Sequence, residues 1–581
     1  MIESLQSRKF MPNSRQTRLQ SPFPPRFLPK FPPPRAIGAA LAGQFLLLQL
    51  LLGVGAPVCA AKPGLPPTVQ AALKQAHIPP QAMAAFVQQV DARRSLLAEH
   101  AEQPMQPASV IKLVTSYVAL EQFGPAQRWK TSFYSNAPLV NGVLQGDLVL
   151  QGGGDPKLVL ESLWQFLRQL RQQGVRDIQG NLVLDRSLFQ GADIDTAQFD
   201  GDPARAYNVG PDALLLNFKS IRLRFETDGE QVRVVSEPAL DGITITPPQA
   251  GNGECVDWHE QLQFVWQERQ LQIGGNYPKS CGTRQWAVHP FGLSANQYAG
   301  ALFQSLWREL GGSFAGNVVD GTVPPDARLL GQWESPALSE MIRDMNKFSN
   351  NVMARQLLIL LAAKAPGDRG DVAVAVSNAR LPAADSANQT VTANPAAAIG
   401  AAPAIVPAGN AVTVPAPATT PAAAQAGLPA VIPGAAPALT PALTPAKGAR
   451  ALQRWLREHD LSDPQLVLEN GAGLSHQEQL SAKGLARILL AAYHSPWMPE
   501  FVASLPVVAY DGTMKKRLQE TPVAGQAHIK TGTLNGVRSI AGYVRAKSGK
   551  IWVVTSLINH ANAGKGQAVH DALLQWIFDK G

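Results

Sequence analysis

Three short motifs, widely spaced along this 581-residue chain, constrain its fold more than any other feature. The first is Ser-x-x-Lys at Ser109 and Lys112, the second is Ser-x-Asn at Ser349 and Asn351, and the third is Lys-Thr-Gly at 530–532. A site that uses all three has to be assembled by folding, and the chain is too long for a single core. We therefore expect one domain formed from both ends of the chain, with a large insertion between the first two motifs.

The first motif begins an apolar segment, residues 108–122, which predicts a buried helix that ends at Gly124. A spacing of three residues puts Ser109 and Lys112 on one face of that helix. The helix N-terminus favours negative charge on an activated serine, and apolar neighbours lower the pKa of a lysine by desolvation. The pair therefore has the chemistry of a nucleophile and its general base. Because Ser-x-x-Lys is common by chance, this interpretation depends on the other two motifs.

The second motif lies in residues 335–361, which we predict to be helical. Ser349 supplies a second hydroxyl, which can relay a proton to a leaving amine. Asn351 supplies an amide, which can hold a peptide carbonyl. Alone, the pair is no more than two polar residues in a helical turn.

The third motif precedes a strand-like apolar run near the C-terminus. Lys530 and Thr531 supply a positive charge and a hydroxyl for a substrate carboxylate, and Gly532 permits close approach of the backbone. A strand that borders a cleft can bind an extended peptide by backbone pairing. The backbone N–H groups of Thr533 and Ser109 are then candidates for an oxyanion hole.

In this order the three motifs are those of penicillin-binding proteins and serine β-lactamases. Further matching segments lie at 107–112, 152–156, 345–351, 471–475, 511–515 and 528–534. With them, the chain resembles the low-molecular-mass class C penicillin-binding proteins of the penicillin-binding protein 4 type, which are D-alanyl-D-alanine carboxypeptidases and endopeptidases. The resemblance implies an α/β (α+β) fold. Its catalytic domain is transpeptidase- and β-lactamase-like, an antiparallel sheet flanked by helices, and carries a mostly β inserted domain and a smaller nested domain.

The resemblance also implies the reaction, which removes terminal D-alanine from peptidoglycan stem peptides and cleaves D-alanyl–diaminopimelate cross-links. It implies peptidoglycan peptides as substrates and β-lactam antibiotics as covalent inhibitors. No His/Asp/Glu cluster has metal-ligand spacing, so no metal and no cofactor are predicted. The implied roles are acyl-enzyme formation for Ser109, base for Lys112, proton shuttle for Ser349, substrate positioning for Asn351 and Thr531, carboxylate binding for Lys530, and a place near the diaminopimelate pocket for Asp155.

One departure from the family pattern concerns the side-chain pocket. The family often has Asp-Gly-Ser-Gly-Leu-Ser-Arg where this chain has Asn-Gly-Ala-Gly-Leu-Ser-His at 470–476. His476 therefore replaces an arginine that is suited to pair with the distal carboxylate of diaminopimelate. A neutral histidine pairs less well with a carboxylate than arginine does.

Two other functions share parts of this sequence pattern. A β-lactamase has the same motifs and differs in how fast water releases the acyl group, but a compact β-lactamase has no use for a large β insertion. A catalytically silent cell-wall-binding protein predicts loss of Ser109, Lys112 or Lys530, and all three are present. The hydrolase is therefore the leading prediction.

The N-terminal residues 1–61 have the pattern of a signal peptide, with a long basic region, an apolar run and small residues. These residues carry most of the excess of basic over acidic side chains that gives the chain its net charge of +8. The remainder of the chain is therefore nearly neutral, and a nucleic-acid partner is excluded. We therefore predict export to the periplasm. An uncleaved anchor is the alternative, which leaves peripheral membrane or cell-wall association open.

Composition and spacing divide the rest of the chain. The predicted parts are a catalytic domain at 62–150, 326–362 and 448–581, inserted domains at 151–325 with a nested β module at about 185–290, and a disordered Ala/Pro-rich insert at 363–447. The two cysteines of the inserted region, Cys255 and Cys281, predict one disulfide in an exported chain. Two free thiols are the alternative, and two cysteines alone offer too few ligands for a metal site.

Overall fold

The computed structural model describes residues 64–364 and 442–581. The predicted signal peptide, and the Ala/Pro-rich insert except for its two ends, lie outside these residues. Among the helices that are described, none combines the length and the apolar character needed to cross a bilayer.

A five-stranded antiparallel sheet lies at the centre of the catalytic region. Its strands, in spatial order, are Leu97–Glu99, Met83–Gln89, Ile551–Asn559, Val537–Arg545 and Ala527–Leu534. Strands from both ends of the described chain are thus hydrogen-bonded neighbours. Because side chains alternate along a strand, Tyr543 packs into the core on one face of the sheet and Val544 into the core on the other.

Helices cover both faces of this central sheet. The larger layer consists of Lys112–Phe123, Leu338–Phe348, Asn351–Leu360, Pro445–Glu458, Ala482–His494 and Met498–Ser504. The opposite face is covered by Pro67–Gln75 and Gln567–Lys580, which pack against each other. The predicted fold class, an antiparallel sheet flanked by helices, is confirmed.

The inserted region has a core of its own. A mixed sheet contains, in spatial order, Val318–Asp320, Leu182–Asp185, Leu148–Gln151, Lys130–Ser135 and Arg328–Glu334. A smaller sheet contains Ser313–Phe314, Asp177–Ile178, Val143–Leu144 and Leu139–Val140. The helices Leu160–Gln172 and Ala295–Glu309 bury their apolar faces in the same core.

Two predicted domain boundaries differ from this arrangement. The sequence analysis assigns residues 62–150 and 326–362 to the catalytic domain. In the structure, Leu148–Gln151 pairs in parallel with Leu182–Asp185 through a connection that contains a helix, so a boundary at residue 150 divides one β–α–β unit. The strands Lys130–Ser135 and Arg328–Glu334 belong to the same sheet.

A nested β module extends from the inserted core. One antiparallel sheet contains Val232–Glu237, Ile221–Thr227 and Arg284–Val288, and a second group contains Thr244–Thr246, Gln270–Pro278, Gln249–Gly251 and Leu262–Gln267. Cys255 and Cys281 form a disulfide within this module. The described strands of the module thus lie inside the predicted range of about 185–290.

The two described ends beside the Ala/Pro-rich segment lie close together. The short 3-10 helix Leu361–Lys364 contacts the helix Pro445–Glu458. That helix starts within the predicted insert 363–447. Its N-terminus is stabilised there because Thr444 Oγ1 accepts from Lys447 N at 3.2 Å and because its first residue, Pro445, is of the type favoured in the first turn of a helix. The chain therefore leaves and re-enters the catalytic region at one place.

Candidate active site

Ser109 lies in a 3-10 turn, Ala108–Ile111, that leads directly into the helix Lys112–Phe123. The predicted single helix over 108–122 is thus tighter in its first turn, and Ala108 has φ of 48°. The Ser539 hydroxyl donates to the carbonyl of Pro107 at 2.6 Å. This bond ties the turn to the central sheet and fixes Ser109 against it.

The Lys112 side chain is fully buried and has three polar neighbours. Its Nζ lies 2.9 Å from Ser109 Oγ and 2.6 Å from Asn351 Oδ1, and it also bonds the carbonyl of Ala472. Members of the first and second motifs are therefore brought into direct contact, together with the loop at 470–476, for which the sequence analysis had predicted no contact with Lys112.

The surroundings of Lys112 favour its neutral form. Burial lowers its pKa well below the ordinary value of a lysine, and the positive charge of Lys530 lowers it further. A neutral amine keeps two N–H groups and one lone pair. The carbonyl oxygens of Asn351 and Ala472 can only accept, so they take the two N–H groups. The lone pair is then directed at the Ser109 hydroxyl, which is the arrangement of a general base.

The Asn351 amide makes two hydrogen bonds within the protein. Its oxygen accepts from Lys112, and its Nδ2 donates to the carbonyl of Tyr207 at 3.2 Å. These two bonds fix the orientation of the amide. Asn351 thus holds the lysine, and the second N–H of its Nδ2 is not used by these bonds. Its expected role at a peptide carbonyl stays a prediction.

Ser349 lies in a break between two helices. The sequence predicts one helix over 335–361, whereas Leu338–Phe348 ends at Ser349, which adopts the left-handed conformation with φ of 59°. Asn350 then caps the next helix, since its Oδ1 accepts from Met353 N at 3.1 Å. Neither glycine nor proline marks this break in the sequence, so the prediction of one helix was wrong there.

Lys530 lies behind Ser349 and is also fully buried. Its Nζ donates to Ser349 Oγ at 2.9 Å and to the carbonyl of Thr531 at 2.7 Å. Burial lowers the pKa of Lys530 to about 7. The Thr531 hydroxyl is 2.8 Å from the hydroxyl of Thr513, so a pair of hydroxyls lies in front of the buried amine.

Gly532 brings the third motif against the nucleophile. A Cβ atom at Gly532 would lie 2.9 Å from Ser109 N and 2.2 Å from Ser539 Oγ, so a larger residue would push the strand away. The strand Ala527–Leu534 is at the edge of the central sheet. Its first residues are covered, since Ile529 N donates to Pro506 O at 2.8 Å.

Beyond Ile529, the outer edge of this strand has no paired strand among residues 64–364 and 442–581. Thr533 is exposed there. An unpaired edge beside a nucleophile is suited to bind an extended peptide by main-chain hydrogen bonds. The expected oxyanion donors, the N–H groups of Thr533 and Ser109, belong to the two segments that meet at Gly532.

The loop that supplies Ala472 is tied to the helix of the first motif. Thr115 donates from its hydroxyl to the carbonyl of Gly471 at 2.8 Å. Gly473 has φ of 78°, and a Cβ atom there would lie 2.1 Å from the carbonyl oxygen of Ala108. A pair of glycines two residues apart is the sequence signal for this close approach.

His476 lies at the end of the same loop and lines a cavity of about 210 Å³. Its ring stacks on Phe199, with ring centroids 4.7 Å apart. Asp195, Arg355 and Glu469 also line the cavity, so groups of both charges surround it. The inserted region contributes one wall and the catalytic region the other.

Of the predicted site residues that the structure describes, only His476 lines this cavity, and Asp155, which the resemblance places near the side-chain pocket, does not. It is buried, its Oδ1 accepts from Lys157 N at 2.8 Å, and burial raises the pKa of its carboxyl to about 7. It does not line the cavity that contains His476. Across the described part of the chain, no three His, Cys, Asp or Glu side chains are grouped to hold a metal ion.

Comparison with solved structures identifies the architecture. The fold matches that of penicillin binding protein 4 from Haemophilus influenzae with a TM-score of 0.64 at 19% identity, over 87% of this chain and 98% of that one. The fold and the motifs together define a serine peptidase of the penicillin-binding protein 4 type, with an inserted region added to the catalytic core.

Sequence comparisons give the family. The chain is 24% identical over 475 residues to D-alanyl-D-alanine carboxypeptidase DacB of Haemophilus influenzae, over 79% of this chain and 81% of the relative. It is 25% identical over 500 residues to the D-alanyl-D-alanine carboxypeptidase of Actinomadura sp. strain R39, over 80% and 76%. The profile of the D-Ala-D-Ala carboxypeptidase 3 (S13) family matches residues 65–385 and 435–579, so the chain belongs to this family and is a serine-type carboxypeptidase, as predicted.

Proposed function

We propose that the protein removes terminal D-alanine from peptidoglycan stem peptides and cleaves D-alanyl–diaminopimelate cross-links through an acyl-enzyme on Ser109. The observation that carries the proposal is the position of Lys112 Nζ, which lies 2.9 Å from Ser109 Oγ and also contacts Asn351 Oδ1 and the Ala472 carbonyl. Penicillin then inhibits the enzyme by acylating the same hydroxyl. In support, the Haemophilus influenzae protein has been solved in complex with a β-lactam.

Acylation begins when Ser109 Oγ attacks the carbonyl carbon of the penultimate D-alanine and Lys112 Nζ takes the hydroxyl proton. The backbone N–H groups of Ser109 and Thr533 receive the oxyanion. Each such donor contributes about 3–4 kcal/mol to the transition state in acyl-transfer enzymes. The desolvated site strengthens these interactions because little water competes for them.

The leaving group is released when its nitrogen receives a proton. We assign this step to Ser349, which passes the proton from Lys112 to the departing amine and thereby returns Lys112 to its neutral form. Lys530 holds the Ser349 hydroxyl at 2.9 Å. Water then attacks the acyl-enzyme, and Lys112 again takes a proton, so that the acid is released and Ser109 is restored.

The substrate carboxylate is assigned to the hydroxyl pair of Thr531 and Thr513. Lys530 is fully buried behind them, so its charge acts through the positive potential that it creates at the open strand edge. The peptide backbone would pair with that edge from Thr531 to Thr533.

The side chain of the substrate is assigned to the cavity lined by His476. Its acidic and basic neighbours, Asp195 and Arg355, suit a substrate end that carries both an ammonium and a carboxylate. Asp155 is left out of the proposed site because it lies outside this cavity. We place the reaction in the periplasm, where peptidoglycan is the substrate and where the Cys255–Cys281 disulfide is stable.

Mass spectrometry of purified muropeptides tests the proposal. Pentapeptide monomers and cross-linked dimers are incubated with the wild-type protein, with Ser109→Ala, and with Ser548→Ala as a matched control on an exposed loop. We expect loss of D-alanine and splitting of dimers with the wild type and the control only. No product from any of the three would contradict the proposal, and D-alanine loss without dimer splitting would remove the endopeptidase part.

A further inference from the structure

Glu478 is a buried carboxylate close to the nucleophile that the mechanism above does not use. Its side chain is 0% exposed, and its Oε1 accepts from the backbone N–H groups of Glu469, Asn470 and Gly471 at 3.2, 2.9 and 2.8 Å. Its Oε2 is buried and has no hydrogen-bond partner in the described structure. A buried carboxylate oxygen without such a partner destabilises a fold, so this placement needs a reason.

The three bonds to Glu478 fix the segment that carries the Ala472 carbonyl. Asn470 Oδ1 accepts from Ala472 N at 2.9 Å, which continues the chain of bonds to the next residue. The Ala472 carbonyl then accepts from Lys112 Nζ. If this acceptor moved, Lys112 would lose one of the two bonds that direct its lone pair at Ser109.

The charge of Glu478 also acts on Lys112. The charged groups that face the amine are Lys530, Arg355 and Glu478, and of these only Glu478 raises the pKa of Lys112. Arg355 is itself buried and donates to the carbonyls of Asn208 and Val209 at 3.3 and 2.8 Å. Glu478 is thus a buried acidic group placed among three buried basic groups, Lys112, Lys530 and Arg355.

We propose that Glu478 is a positioning residue for the reaction: its carboxylate fixes the Ala472 carbonyl that orients Lys112, and its negative charge stabilises the ammonium formed when Ser109 loses its proton. The inference rests on the proposed roles of Ser109 and Lys112. It goes beyond them, because it assigns the basicity of Lys112 to a residue that lies outside all three motifs.

Glu478→Gln separates the two parts of this role. A glutamine keeps an oxygen that can accept from the loop and removes the charge. Without the anion, protonated Lys112 is less stable and loses its proton at lower pH. The rate of acylation is therefore expected to fall severalfold at its plateau, while the acidic limb of its pH profile moves to lower pH by about one unit or more.

Two further variants complete the test. Glu478→Asp keeps the charge but shortens the side chain, so its plateau is expected to fall while its acidic limb stays at the wild-type pH. Glu500 likewise has a carboxylate oxygen that is buried and without a hydrogen-bond partner in the part of the chain that is described, so Glu500→Gln is the matched control. The Glu500→Gln variant is expected to leave both the plateau of the acylation rate and the pH of its acidic limb unchanged.

The measurement is the second-order rate constant for labelling by a fluorescent penicillin between pH 5 and 9, with thermal unfolding of each variant. A folded Glu478→Gln that keeps the wild-type acidic limb overturns the inference, because a merely structural role lowers the rate equally at every pH. An acidic limb that moves in Glu478→Asp by as much as in Glu478→Gln also overturns it. Failure of the wild type to be labelled at all would instead contradict the proposed function.

Discussion

The catalytic region and the inserted region place their charged groups differently. In the catalytic region, buried charged side chains include Lys112, Lys347, Arg355, Glu478, Arg517 and Lys530. Among the described residues of the inserted region, the buried charged side chains are Asp155 and Asp185. Its ion pairs, such as Arg224 with Glu226, lie at least partly in solvent.

This difference shows what each region is built to do. Burying a charge costs free energy, and the cost is recovered only through specific partners. The inserted region has fewer buried charges and relies mainly on an apolar core and a disulfide. The catalytic region accepts it around Ser109, where desolvated amines have the lowered pKa that a base needs at neutral pH.

Removal of the base should give the largest effect. Lys112→Met takes away the group that receives the Ser109 proton, so acylation by penicillin should fall by about 10²- to 10⁴-fold. The unfolding temperature should stay the same or rise, because a buried charge is lost. Labelling kinetics and thermal unfolding check both parts. Lys130→Met, which removes an exposed lysine of the inserted region, is the control and should change neither.

The disulfide provides the opposite case, with a large effect on stability and none on chemistry. Cys255→Ser together with Cys281→Ser opens a loop spanning 26 residues, which should lower the free energy of unfolding of the nested module by about 3–4 kcal/mol. The rate of labelling by penicillin should be unchanged at a temperature where the module stays folded. A fall in labelling under those conditions would show that the two regions are not independent.

The second buried amine gives a pH dependence of stability. The pKa of Lys530 is about 7 in the folded state, whereas an unfolded lysine has a pKa of about 10.4. Between these values the unfolded chain binds a proton that the folded chain does not, so the free energy of unfolding rises with pH. Relative to Lys530→Met, the wild type should gain about 1.4 kcal/mol for each pH unit in this window. Denaturant titrations of both proteins at pH 7.5 and 9 measure this gain. An equal change in the free energy of unfolding of the two proteins between these pH values would contradict the prediction.

The smallest effect is expected at the surface of the inserted region. Arg224 Nη1 lies 2.6 Å from Glu226 Oε1, but both side chains are partly exposed, so solvent and salt weaken their attraction. Arg224→Ala should lower the free energy of unfolding by less than about 1 kcal/mol. A denaturant titration checks this, with Lys279→Ala, which removes another exposed basic side chain of the same module, as the control. A larger loss would mean that the inserted region also depends on charge pairs.

Part of the site could be predicted from the sequence because its signals are local. Ser109 and Lys112 are three residues apart, and Lys530 and Gly532 lie in one strand, so spacing alone brings each pair together. The fold class was implied by the family resemblance. The contact between Lys112 and Asn351, in contrast, joins residues that only the complete fold makes neighbours.

Other features had no local signal. The run around Glu478 is polar, so the sequence suggests a solvated surface, yet the fold buries this residue completely. The predicted helix over 335–361 has no glycine or proline near Ser349, and its break coincides there with a left-handed residue followed by the Asn350 cap of the next helix. The boundary at residue 150 was misplaced because parallel pairing depends on partners that lie further along the chain.

The junction between Leu361–Lys364 and Pro445–Glu458 has a consequence for how this enzyme can be changed. Because the two helices contact each other, the chain between them begins and ends at almost the same point. The entropy needed to close such a loop grows only with the logarithm of its length. The junction is therefore a natural site at which to insert a reporter domain, and related enzymes are free to differ there in length while the serine, its base and the open strand edge stay in register.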